Sequence, residues 1–197
     1  MKIQSFTIFI IAVVFVCAGM LPHNGYAEEG RRTMTNFSGK QKILVAYFSH
    51  SGNTRVIANE IKNITGGDIF EIKPINEYSQ EYQAVVDQAK KEINAGFKPE
   101  LKTTVDNIED YDIIFVGSPN WWSTVAPPVA TFLSSYDFEG KIIIPFMTHE
   151  GTRLGHSVAD IKKICAKAKV MDGHAVYGHD VNNAHDDVAA WIKKIKL

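Results

Sequence analysis

The chain has 197 residues, of which 45% are hydrophobic and 22% charged, and a formal net charge of −1. That balance suits one globular domain with a sizeable core and argues against nucleic acid or an anionic surface as a partner. At the N-terminus, Lys2 precedes an uncharged stretch from Ile3 to Ala27, strongly apolar from Phe6 to Leu21, with Gly25 and Ala27 just before Glu28. This pattern predicts a secretory signal peptide over 1–27 and hence an exported, periplasmic protein. The alternative is an uncleaved membrane anchor, for which the apolar run is slightly short. After cleavage no stable membrane insertion is expected. Cleavage would remove Lys2 and no acidic residue, moving the charge to −2, and would leave Cys165 as the only cysteine, so that no internal disulfide can form. Residues 28–40 are polar and read as a flexible tether, with one domain over 41–197.

From Ile43 to Phe48 the chain is continuously apolar, as expected of a strand covered on both faces. It then switches to Ser49-His50-Ser51-Gly52-Asn53-Thr54, after which Val56, Ile57, Ile61 and Ile64 recur at helical spacing. A buried strand, a tight hydroxyl-rich turn and a helix start together make an anion cradle of backbone N–H groups. No Lys or Arg lies within the turn, and the Walker pattern is absent.

The helix should end at Gly66-Gly67. A second strand is predicted over 68–73, then, after Tyr78 and Tyr82, helical spacing at Val85, Val86, Ala89 and Ile93 that ends near Gly96, and a buried strand over 112–117. Two prolines open a helix over 127–135, and a fourth strand spans 141–147. A helix over 154–168, a strand over 170–177 and a last helix over 184–195 complete the chain. Cys165 reads as a buried structural thiol. The alternation of strands and helices predicts an α/β fold with a parallel sheet covered on both faces.

The third strand is followed by Ser118-Pro119-Asn120-Trp121-Trp122. Adjacent side chains in an extended loop point apart, so at least one tryptophan should meet solvent or a ligand. An aromatic wall beside Ser118, Asn120 and local amides would suit a flat ring with a polar edge. The fourth strand is followed by Thr148-His149-Glu150-Gly151. A serine hydrolase elbow is excluded, because Phe48 stands where its first glycine belongs. His174, His179, Asp180, His185, Asp186 and Asp187 match no zinc spacing, and no metal site is expected. Tyr78 and Tyr82 could border the pocket or anchor the following helix.

The turn Ser49-x-Ser51-Gly52-Asn53-Thr54 resembles the FMN-phosphate loop of flavodoxins. Ser118-Pro119-Asn120-Trp121-Trp122 resembles the isoalloxazine loop of small flavodoxin-like proteins, and 148–151 resembles the third flavin-contacting loop. The resemblance covers the chain from about Lys42 to its end. It implies a flavodoxin-like three-layer sandwich whose five-stranded parallel sheet has the order 2-1-3-4-5. It also implies FMN held by Ser49, His50, Ser51, Gly52, Asn53, Thr54, Ser118, Pro119, Asn120, Trp121, Trp122, Thr148, His149, Glu150 and Gly151. Either tryptophan could stack on the flavin, and truncating Trp122 is expected to weaken ring binding.

Three roles follow from the resemblance. The first is FMN-mediated electron transfer to a redox partner protein or a small-molecule acceptor. The second is an NAD(P)H-dependent FMN reductase of quinone or flavin type. The third is an exported binding module that has lost the flavin. Flavodoxins that dock by charge are strongly acidic, and this chain is not.

Overall fold

The computed structural model describes residues 41–195, so the expected signal peptide and tether lie outside the described residues. The apolar runs form the strands. β1 (Ile43–Tyr47), β2 (Asp68–Glu71), β3 (Ile113–Trp121) and β5 (Ile142–His149) are joined by a two-residue β4 (Thr124–Val125) and by β6 (Lys169–Val170) and β7 (His174–Tyr177). The helices are α1 (Asn53–Thr65), α2 (Tyr82–Ala95), α3 (Pro127–Ser135), α4 (Ser157–Ile164) and α5 (His185–Lys194).

The main sheet is parallel and runs β2-β1-β3-β5, with β6 and β7 both on the far side of β5. This is the 2-1-3-4-5 order, its fifth position shared by two short strands. The predicted strand over 170–177 breaks at 171–173. The gap falls opposite Ile144 and Pro145, since Ile143 pairs with Val170 and Phe146 with His174. A proline offers no N–H to a ladder, which gives the edge chain a place to leave it.

Side-chain alternation sorts the core into two layers. Leu44, Ala46, Ile114, Val116 and Ile143 face α2, α3 and α4, where they meet Val85, Phe132 and Ile161. Val45, Tyr47, Ile113, Phe115 and Ile144 face α1 and α5, where they meet Ile57, Ile61, Val188 and Ile192. α1 ends at Gly66 in the left-handed conformation (φ 73°), whose N–H caps Lys62 O at 2.8 Å.

α2 begins at Tyr82, where the Glu81 side chain accepts the Ala84 N–H at 2.7 Å and caps the helix. Two features differ from the sequence reading. α4 is shorter than 154–168, because Arg153 and Gly155 take positive φ (54° and 53°) just before it. β3 runs on to Trp121 and turns back into β4, where an extended loop was expected.

Cys165 is buried behind α4, and burial pushes its thiol up to about 11, so it is protonated and unreactive at neutral pH. Among the described residues no helix is long and apolar enough to cross a membrane.

Gly117 pairs with Phe146 across β3 and β5, and a Cβ on Gly117 would overlap the Phe146 ring. Gly117→Ala should therefore destabilise the domain by about 1–3 kcal/mol, read as a lowered urea midpoint at unchanged slope.

Candidate functional site

The parallel strands β1, β3 and β5 end at one edge of the sheet, at the point where the connections diverge to opposite faces. Crevices form at such a point. The turn after β1 opens α1. Gly52 takes φ 98° and precedes the first helical residue, and a Cβ there would meet nothing within 4 Å. The N–H groups of Gly52, Asn53 and Thr54 have no partner among the described residues. The next, Arg55 N–H, donates to Ser49 Oγ at 3.3 Å. Three unpaired amides at a helix N-terminus form a positive cradle without a cation. Arg55 itself turns away and pairs with Glu71.

Not every hydroxyl of the motifs faces this cradle. Thr54 is buried, and its Oγ1 shares a 2.8 Å hydrogen bond with Thr148 Oγ1. The pair joins the first turn of α1 to the end of β5. Ser118 is fully buried, accepts the Ala126 N–H at 2.9 Å and donates to Pro119 O at 2.8 Å. The Ser118 hydroxyl thus donates and accepts within the protein, and the Thr54 and Thr148 hydroxyls bond to one another.

The two tryptophans part company. Asn120 pairs with Val125 and Trp121 with Thr124, so that Trp122 and Ser123 are the two central residues of a hairpin, with φ 51° and 68°. A two-residue hairpin of type I′ demands positive φ at both positions, which Asn-Gly supplies easily and Trp-Ser does not. Trp121 packs edge-on against Phe48 (5.6 Å between centroids), Tyr78 (4.9 Å) and His50 (5.8 Å). Trp122 points outward to α2, where its Nε1–H donates to Val86 O at 3.1 Å and Lys90 Nζ lies 4.7 Å from its ring. Trp122 has 47% of its surface exposed, whereas Trp121 is packed among the rings of Phe48, Tyr78 and His50.

The hairpin is strapped to the third loop and α4. Thr124 Oγ1 donates to Asp160 Oδ2 at 2.7 Å, His156 N–H to Ser123 O at 2.8 Å, and Asn120 Nδ2 to Arg153 O at 2.6 Å. Asp160 also pairs with His156 and Lys163. Burial alone would raise its carboxyl, but the hydrogen bonds from these groups hold it below the ordinary range. Asn120 Oδ1 is left buried and unpartnered.

His149 is buried rather than exposed and accepts the Gly151 N–H on Nδ1 at 2.9 Å. Burial, aided by Arg153 and opposed by Glu150, holds its pKa below the ordinary value, so the ring is neutral with its proton on Nε2. Glu150 and Gly151 stay exposed at the surface. Ser51 is exposed on the cradle, and His50 Nε2 donates to Ser79 O at 2.8 Å, closing the turn toward β2. A cleft of about 200 Å³ opens there, lined by Ser49, His50, Phe48, Tyr78 and Arg55 among others.

Tyr78 fills both roles the sequence left open. It borders the aromatic wall and anchors α2 through its hydroxyl, which donates to Glu92 Oε2 at 2.6 Å. Sequence reasoning missed Gly178. A Cβ there would overlap Glu150 Oε1 and come 2.8 Å from Asn53 Nδ2, so the residue lets three loops meet. A lone glycine after a strand carries no signal of such an approach. The C-terminal histidines pair singly with carboxylates, His174 with Asp187 and His185 with Glu60 at 2.9 and 2.7 Å. Among the described residues no three ligating side chains are grouped for a metal.

A family model described as Flavodoxin matches residues 42–195. The chain is similar to a candidate flavoprotein of Bacteroides uniformis, with 27% identity and a TM-score of 0.71 over 78% of this chain and 99% of that one. It is similar to a candidate flavoprotein of Bacteroides eggerthii, with 29% identity and a TM-score of 0.64 over 75% and 98%. It is also similar to a flavoprotein of Lactobacillus acidophilus solved in complex with FMN, with 26% identity and a TM-score of 0.61 over 73% and 97%. No curated protein matches the chain.

The Thr54–Thr148 pair yields a test of the scaffold. Thr54→Val or Thr148→Val alone leaves one hydroxyl buried without a partner and should cost about 1–3 kcal/mol. The double variant should lose clearly less than the sum of the two, read from urea unfolding of all four proteins.

Proposed function

The chain belongs to the flavodoxin family, and from that premise we propose that it binds FMN and transfers electrons between the flavin and a redox partner. The observation that supports this most directly is the neutral cradle. The unpaired N–H groups of Gly52, Asn53 and Thr54 suit a phosphate bound by backbone dipoles, and Ser51 and Asn53 add side-chain donors at the same turn. At the other end of the site, Asn120 Oδ1 is an unpaired acceptor that fits a ligand bringing its own donor.

When bound, FMN supplies the chemistry, taking up and returning one or two electrons at its ring. The protein binds and orients. Trp121, backed by Phe48, Tyr78 and His50, offers the aromatic wall, while Thr54 and Thr148 keep the cradle at a fixed distance from the third loop. His149 presents a neutral ring whose Nε2–H can donate without bringing a positive charge to the flavin. With a near-neutral chain, partner recognition rests on shape and apolar contact more than on long-range charge. We also propose export through the 1–27 signal peptide, which the mass of the secreted protein would test by starting it at Glu28.

The reading is tested by titrating the purified domain with FMN. The expected result is a yellow protein that quenches flavin fluorescence; a colourless protein that ignores FMN sinks the proposal in favour of a flavin-free binding module. Rapid bleaching on addition of NAD(P)H would favour the reductase over the carrier. Ser51→Asp should weaken FMN binding by about a hundredfold or more, since it sets a carboxylate against the phosphate. Trp121→Ala should weaken it about tenfold and Trp122→Ala less than about threefold.

A further inference from the structure

His149 is the last residue of β5 and begins the third loop. The residue is 7% exposed, and its Nδ1 takes the N–H of Gly151 two residues on. An acceptor two positions before an amide is the arrangement of an Asx turn, built here with an imidazole. Nδ1 can accept only while it carries no proton, so the bond requires a neutral ring in the tautomer protonated on Nε2. The turn also requires Gly151 to hold φ 136°, a conformation that side chains rarely adopt. Across the ring stands Tyr177 of β7, edge-on with centroids 5.5 Å apart. Tyr177 stacks on His179 at 5.1 Å, and His179 Nδ1 lies 3.4 Å from Glu150 Oε2. The loop is thus anchored at both Gly151 and Glu150.

We propose that His149 is a positioning residue for the flavin site, its bare Nδ1 holding the loop over 149–151 in the shape that binds FMN and its protonation releasing that loop. This rests on the FMN-binding reading above. A protonated ring has a donor on each nitrogen, so Nδ1–H would confront the Gly151 N–H and the turn would open. The charged and titratable groups facing the ring are Arg153 and Glu150 on its own loop, with Tyr177 and His179 across from it. Burial and Arg153 disfavour the imidazolium and Glu150 favours it, burial being the largest of the three. The folded protein therefore resists protonation. The contribution of the neutral ring is complete above the ordinary histidine value of 6.5 and is lost as pH falls through a lower value.

Two variants separate the acceptor from the ring. His149→Asn keeps an acceptor at the same place and removes the titration. His149→Phe keeps a ring against Tyr177 and removes the acceptor. At about pH 8 the Asn variant should bind FMN about threefold to tenfold more tightly than the Phe variant. As pH falls, wild-type affinity should drop toward that of the Phe variant. The Asn variant should show only the shallower dependence due to the FMN phosphate, which titrates near about 6 in every case. Amide exchange at Gly151, followed without flavin, should be slow in wild type and the Asn variant and fast in the Phe variant. Equal affinity and equal exchange in the two variants would overturn the proposal. Should the Phe variant not fold, a pH profile of the Asn variant identical to wild type overturns it equally. Failure of wild type to take up FMN overturns the function proposed above. The flavin-free exchange at Gly151 tells that failure apart from loss of the His149 turn.

Discussion

The parallel register of β1, β3 and β5 is the constraint on which the functional edge depends. Tyr47, Gly117 and Phe146 form one row across the three strands, and each chain leaves the sheet a few residues beyond it. The register holds because these strands are apolar on both faces, so a slip would misplace the side chains of two cores at once. Gly117 is part of the same constraint, since only a residue without a Cβ admits the Phe146 ring at that row. Once the row is set, the Thr54–Thr148 bond needs only the first turn of α1 to reach the end of β5. Two loops from opposite sides of β3 are thereby joined beneath the site.

A cradle made of amides, not cations, has a physical consequence. Backbone dipoles cost no reorganisation when an anion arrives, and they add no charge when it leaves. The Arg55 guanidinium is engaged by Glu71 on β2, and Lys73 stands 3.4 Å from the same carboxylate. Both side chains are drawn toward Glu71, and the helix N-terminus provides the field at the turn itself. This agrees with a chain whose overall charge is close to zero.

The fold was legible because its signals are repeated and independent. The runs from Ile43 and Ile113, the glycine stop at Gly66 and the paired prolines before α3 each point to the same alternation of strand and helix. The site was legible at the level of loops and less so at the level of atoms. A hydroxyl at a strand end reads alike whether it meets a ligand or a backbone amide, and Ser118, Thr54 and Thr148 each have a hydrogen-bond partner within the protein. The Trp121–Trp122 pair announced an aromatic wall but not which ring formed it. The two rings are parted by a hairpin whose central residues carry none of the usual Asn-Gly chemistry. The split of the last strand was hidden for a related reason, since its cause lies in Pro145 on the neighbouring strand.

The hairpin shows where local preference yields to the site. Holding Trp122 and Ser123 at positive φ costs about 1–2 kcal/mol for each residue. Several contacts offset this. Trp122 bonds to Val86 and lies under Lys90, Ser123 O accepts the His156 N–H, and Thr124 is held by Asp160. The approach of Gly155 to Ser123 O, too close for any Cβ, completes the clamp. A relaxed turn would splay β4 from β3, because an ordinary turn has the wrong twist for a two-residue hairpin. Trp121 would then lose its fixed angle to Phe48 and Tyr78. The strain at Trp122 is therefore the local consequence of keeping Trp121 in place, and the two adjacent tryptophans have opposite duties, one at the wall and one as the brace that aims it.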